Sequence, residues 1–258
     1  MPDPAARRSR LPLKLGLVAA ILAVLGCLLA VGVDNVWEAA ERSKCNLSGV
    51  GHAFLSYKNA HGGLPPAVVY DKGGTPLHSW RVLLLPYLSE EDLYKEFRLD
   101  EPWDSPHNLA LLPRMPEVYA PPGRKASRVP PHHTVLHVFV GKGTAFEPRR
   151  RQEDATGQRP DTVEPFKPPV ALKVPGDFPR GASNTLLFVE AGEPVPWTKP
   201  QELAYDPDGL LPDLRPLFRG GIRACMADGS RRFIPKDTPE ADLRALISRN
   251  GGEAGANE

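Results

Sequence analysis

Between Leu15 and Val33 the chain runs through nineteen residues without a charge. As a helix this stretch measures roughly 28 Å, close to the hydrocarbon thickness of a bilayer. Arg7, Arg8, Arg10 and Lys14 precede it, and Asp34, Glu38 and Glu41 follow. A basic flank stays in the cytoplasm by the positive-inside rule, so the chain beyond Asp34 is expected outside. The prediction is a single-pass cell-membrane protein with a cytoplasmic tail at 1–14, an anchor at 15–33 and an extracytoplasmic head. Its first partner is then the lipid bilayer. An uncleaved anchor is preferred because the run exceeds the roughly 7–15 residues of a signal-peptide core and no small-x-small site closes it. Two alternatives stay open: Val24-Leu25-Gly26-Cys27 as an imperfect lipobox acylated at Cys27, and Arg7-Arg8 as a twin-arginine export signal.

Past the span the pattern is helical. Val36, Trp37 and Ala40, then Leu47, Val50, Phe54 and Tyr57, recur at three- and four-residue steps, which predicts an amphipathic helix over 34–63 that Gly62-Gly63 ends. A break is expected near Ser48-Gly49. Thirty prolines make a compact all-helical body a poor fit. The expected fold class is therefore α+β: the membrane helix continues into the amphipathic helix, and a head with short helices and an antiparallel sheet follows.

Within the head, residues 64–146 carry the first part. Trp80 to Leu88 reads as a buried helix ended or kinked at Pro86, and Ser89-Glu90-Glu91-Asp92 as a capping box with Ser89 at its start. Strands are expected at Thr134–Val140 and Asn184–Glu190, then a hairpin of Ile222–Met226 and Arg231–Ile234. Asp228 and Gly229 form its turn, glycine supplying the positive φ. Residues 147–181 are rich in proline and charge and read as an exposed, mobile insertion, with Arg149-Arg150-Arg151 a solvated run. Residues 182–250 complete the head, closing on a helix with Thr238 as cap and Pro239 at its first position. Residues 251–258 read as a flexible tail.

The stretch Asp100-Glu101-Pro102-Trp103-Asp104-Ser105-Pro106-His107-Asn108 holds the densest set of polar side chains. Ser105 followed by Pro106 is a helix start, cap then first residue, and Asn108 continues into it. Trp103 is expected as a buried anchor and His107 as a first-turn residue reaching the acidic loop. The cluster is first a structural corner. As a second possibility Asp100, Glu101 and Asp104, with His107 beside them, are candidate cation or ligand groups.

No catalytic residue, metal site or cofactor is assigned. His132, His133 and His137 have an HHxxxH spacing, but the β-branched and aromatic residues around them predict a strand, on which the last two stand roughly 13 Å apart. Ser183 lacks the G-x-S-x-G elbow. A balance of 32 basic and 31 acidic side chains excludes the electrostatic footprint of nucleic-acid binding.

Several ordered blocks carry a resemblance: Cys45-Asn46-Leu47, Gly63-Leu64-Pro65-Pro66-Ala67, His78-Ser79-Trp80-Arg81-Val82-Leu83-Leu84-Leu85-Pro86-Tyr87-Leu88, Glu101-Pro102-Trp103-Asp104, Gly143-Thr144-Ala145-Phe146, Ser183-Asn184-Thr185-Leu186, Pro196-Trp197-Thr198 and Ala227-Asp228-Gly229-Ser230. The chain resembles the planctomycete family of pilin-like secreted proteins of unknown function (domain of unknown function 1559) over most of residues 43–250. The resemblance implies a pseudopilin-like helix carrying a small head, no enzymatic activity, and contacts with other envelope proteins or with itself. Extracellular binding of a small solute or cation is its minor alternative. The N-terminus departs from the family, since residues 1–34 contain neither Phe nor Glu and so lack the prepilin cleavage motif. Phe218 stands where the family has a histidine, and Ala120-Pro121-Pro122-Gly123 where it has a cysteine block. Cys45 and Cys225 are the two cysteines outside the membrane, and in an oxidising compartment they are expected to pair.

Overall fold

The computed structural model describes residues 46–121, 129–147, 172–216 and 220–250. The span 15–33, Cys27, Cys45, Arg149-Arg150-Arg151 and the tail 251–258 lie outside the described residues. No helix among the described residues is long and apolar enough to cross a membrane.

The described part of the first helix, α1 (46–61), is continuous through Ser48-Gly49, where a break was expected. Its buried face is Leu47, Val50, Ala53, Phe54 and Tyr57, the stripe that helical periodicity requires. Gly62 at φ 77° ends it, its N–H donating to the Lys58 carbonyl at 2.8 Å. Against this stripe pack the aromatic rings of the head. Phe54 lies 4.8 Å from the Trp80 ring and 5.7 Å from that of Phe188.

A small antiparallel pair, β1 (Val68–Tyr70) and β2 (Pro76–Ser79), leads into α2 (Trp80–Leu83) and then a 3₁₀ turn at Leu85–Leu88 that takes up Pro86. Ser89 is the left-handed residue that closes this turn, at φ 63°, and Glu90 precedes α3 (Glu91–Glu96) without a side-chain cap. The expected capping box is thus not formed, because Ser89 is needed one step earlier. Next come α4 (Pro106–Ala110), β3 (His133–His137) and β4 (Phe139–Val140), then β5 (Leu186–Pro196), β6 (Leu203–Ala204), β7 (Gly221–Met226), β8 (Arg231–Pro235) and α5 (Glu240–Ile247). Pro239, and not Thr238, is the N-cap of α5, so the helix starts one residue later than the sequence placed it.

The main sheet has the order β3-β5-β7-β8, antiparallel throughout. Strand periodicity splits it into two faces. Ile222, Ala224 and Met226 of β7 join α5 through Leu243 and Ile247, while Cys225 turns to the other face with Leu187, Phe188 and α1. Mixed α+β architecture with antiparallel sheets is therefore observed. One pairing departs from it: β4 and β6 run parallel. The last part of the expected insertion is not peripheral, since Leu172 and Phe178 are buried in the main core and the Leu172 carbonyl accepts from Leu64 N–H.

Candidate functional site

Around Asp100–Asn108 the backbone turns sharply, and the residue that holds the turn is Asn108. Ser105 is the N-cap of α4, its Oγ accepting from Asn108 N–H at 3.2 Å, and Pro106 is the first helical residue. The buried Asn108 amide donates to the carbonyls of Arg98, Pro102 and Glu101 at 2.9, 3.0 and 3.3 Å. Its Oδ1 accepts from Arg98 N–H at 3.0 Å. A side-chain amide therefore occupies the centre of this carbonyl ring. Asp100 and Asp104 are exposed. Glu101 pairs with Arg98 at 2.9 Å, and the Ser105 hydroxyl and that guanidinium hold its carboxyl below the ordinary range. His107 donates from Nε2 to the Glu96 carbonyl at 2.8 Å, so it caps the end of α3 and not the acidic loop. Trp103 is half-buried, with Lys199 Nζ 5.9 Å from its ring, and it is Trp103 N–H, bonded to the Leu77 carbonyl, that ties the loop to β2. The anchor expected of the indole is supplied by Asn108, because only a group with both donors and acceptors satisfies four enclosed backbone atoms.

Beneath this loop sits His78, fully buried, with neither ring nitrogen hydrogen-bonded. Burial pushes its pKa down, opposed by the carbonyls of Arg98, Leu99 and Glu101. Among the described residues, no group of three or more His, Cys, Asp or Glu is placed to hold a metal ion.

A second cluster forms where α2, β3 and the turn before β6 meet. Arg81 lies inside the apolar run Trp80–Leu85, and its guanidinium cannot reach water. All five of its N–H donors are engaged: Nε and Nη2 with the Leu136 carbonyl, Nη1 with Ser79 Oγ at 2.7 Å and Glu202 Oε1 at 2.8 Å, and Nη2 with Glu202 Oε2 at 3.3 Å. The guanidinium also lies over the Trp80 ring, 4.7 Å from its centroid. Glu202 is brought there by the parallel β4–β6 pairing, and its Oε2 accepts from Val138 N–H at 2.9 Å. Such a pair cancels its own charge and leaves no donor over for a ligand.

Next to the pair stands His137, buried, its Nδ1 3.6 Å from Glu202 Oε2 and its Nε2 2.9 Å from the Glu193 carbonyl. A cleft of about 330 Å³ opens here, lined among others by His137, Glu193, Gln201, Glu202, Leu203 and Asp213. Its outer wall is pinned to β5 by the bond from Gly192 N–H to the Leu214 carbonyl. His137 was legible only as part of the HHxxxH spacing, and Glu202 not at all. Arg81 carries a signal in hindsight, since a lone charge inside an apolar run is buried with a partner.

At the other sheet face Cys225 is buried, and as a thiol its pKa is pushed by burial up to about 12; its expected partner, Cys45, lies outside the described residues. In the β7–β8 turn Gly229 has φ 85°, and Asp228 Oδ1 accepts from Ser230 N–H at 2.8 Å.

Residues 35–209 match the model of a family described as protein of unknown function (DUF1559), SBP_bac_10. No curated protein and no solved structure matches.

Proposed function

The chain belongs to this family of proteins of unknown function (DUF1559), and from that premise we propose that it is a pilin-like structural or interaction module of the cell envelope. In this reading residues 15–33 anchor it in the lipid bilayer, the head lies outside the cytoplasm, and its partners are other envelope proteins or further copies of itself. Nucleic acid is not a partner and the head is not an enzyme. The observation that carries the reading is the use made of α1. Its one apolar face is spent on the head's own aromatic core, so α1 serves as a stiff stem joining head to anchor. The interior polar groups Arg81, Glu202 and Asn108 are spent on one another and on backbone, which supports a scaffold over a reactive centre.

Carbonate extraction and external protease on spheroplasts test the topology. The full chain stays with the membrane and its head is digested; release by carbonate, or a protected head, removes the anchor. In-cell crosslinking tests the role, and a head that is monomeric and captures no envelope protein removes it. The Cys45–Cys225 bridge belongs to the same proposal. Labelling of both cysteines in exported protein denatured without reductant eliminates it.

The cleft beside His137 favours a second reading, in which the head binds a small solute.

A further inference from the structure

His137 is 2 % exposed, and its two ring nitrogens have unequal surroundings. Nε2 lies against the Glu193 carbonyl, which only accepts, so in the neutral ring this nitrogen carries the proton. Nδ1 then presents a lone pair, and what it faces is Oε2 of Glu202, another acceptor. No hydrogen bond reaches Nδ1. Glu202 Oε2 already accepts from Val138 N–H and Arg81 Nη2, so it is Nδ1 that stands at the wall of the cleft without a donor.

The mouth of the cleft is acidic and is bridged by a cation of the chain's own. Arg215 donates from Nε to Asp213 Oδ2 at 2.7 Å and pairs through Nη1 with Glu193. The Arg215 side chain is 57 % exposed, so this bridge is solvent-screened and easily exchanged. Glu193, Glu202 and Asp213 outnumber Arg81 and Arg215, and Arg81 is wholly committed to Glu202 and its neighbours. The balance left at the mouth is negative.

We propose that this cleft binds a small organic cation with a primary ammonium or guanidinium head. Its charge meets Glu193 and Asp213 in place of Arg215, and one of its N–H groups supplies the donor that His137 Nδ1 lacks. Leu203, Ala204 and Pro212 give the apolar wall that a short methylene stem needs. The volume lies near the lower end of ligand pockets, roughly 300–1,000 Å³. An anion is repelled by the same carboxylates. A metal ion is disfavoured because the guanidinium of Arg81 already sits on Glu202, one of only two donors at the base. The proposal rests on the small-solute reading and names the class of solute.

The test is calorimetric titration of the full chain in detergent micelles with agmatine and 1,4-diaminobutane, against 1,4-butanediol and succinate as neutral and anionic counterparts. The two cations bind and the counterparts do not. Arg215→Ala, which removes the internal competitor, tightens agmatine by about threefold, and Glu193→Gln with Asp213→Asn weakens it by about tenfold, the scale of exposed charge pairs. All three positions are at the surface, and a melting curve for each variant checks that it is folded. Diol or succinate binding as well as agmatine overturns the cationic class while the solute reading stands. Arg215→Ala binding no tighter than the parent overturns the competition at the mouth. Silence from all four compounds in both parent and Arg215→Ala overturns the solute reading as well.

Discussion

Arg81 and Glu202 meet as an enclosed two-point ion pair, Nη1 to Oε1 at 2.8 Å and Nη2 to Oε2 at 3.3 Å, with side chains 0 % and 3 % exposed. Breaking one half leaves a buried charge without its counter-charge, which costs about 3–5 kcal/mol. Arg81→Met and Glu202→Leu are each expected to lose that much in urea unfolding. The double variant removes both charges and is expected to be more stable than either single one, although Leu136 and Val138 lose their polar partners. A double variant whose loss equals the sum of the singles shows that the two residues are not coupled.

His78 makes stability depend on acid. Its folded pKa is held below the ordinary 6.5 by burial, so the unfolded chain takes up the proton first. The contribution is fully present above the unfolded value and is lost as pH falls from about 6.5 toward the folded one, with a limiting slope of about 1.4 kcal/mol per pH unit. Melting curves from pH 7.5 to 5 are expected to fall more steeply for the parent than for His78→Leu. Parallel curves count against it.

Asn108 holds the corner through four bonds to backbone, whereas Ser105 supplies one cap bond. Asn108→Ala strands several enclosed acceptors and is expected to cost about 2–4 kcal/mol, against about 1 kcal/mol for Ser105→Ala. Limited proteolysis is expected to cut the 98–104 loop of the Asn108 variant first. Equal losses for the two variants refute the ranking.

α1 approaches β7 so closely at Gly51 that a Cβ there stands 2.8 Å from Cys225 Sγ. Gly51→Ala is expected to destabilise by about 1–3 kcal/mol through this overlap. In a Cys225→Ala background the sulfur is gone, and the same change is expected to be neutral or to stabilise by up to about 1 kcal/mol through helix propensity. A sign that does not reverse defeats the contact. The same enclosure raises the Cys225 thiol to about 12, so reduced native protein is expected to resist iodoacetamide at pH 8 while reduced unfolded protein labels.

Much of the local order was readable from the chain. The stripe Leu47, Val50, Phe54 and Tyr57 marked the buried face of α1, and the apolar runs near 134–140, 184–190 and 222–234 marked where strands lie. Boundaries slipped where one residue had two possible uses. Ser89 can cap a helix or close a turn, and the 3₁₀ turn at Leu85–Leu88 took it. Tryptophan is usually a buried anchor, yet at Trp103 the enclosed backbone polar atoms needed an amide and the indole was left half-buried.

By itself the sequence determined what depends on a few neighbouring residues: the amphipathic stripe of α1, the Ser105-Pro106 start of α4, the Asp228-Gly229 turn, and the mixed α+β class. Local geometry sets these, because side chains three or four apart on a helix, or two apart on a strand, face the same way whatever else the chain does. Only the tertiary structure decided that Arg81 finds Glu202 at a separation of 121 residues, and that His137 then stands with an unmet nitrogen at the wall of a cleft bridged by Arg215. No periodicity records such a pairing. Any of 31 acidic side chains was available to Arg81, and the choice fell to the parallel contact of β4 with β6, which carries Glu202 into the one place where a buried guanidinium had no water to turn to.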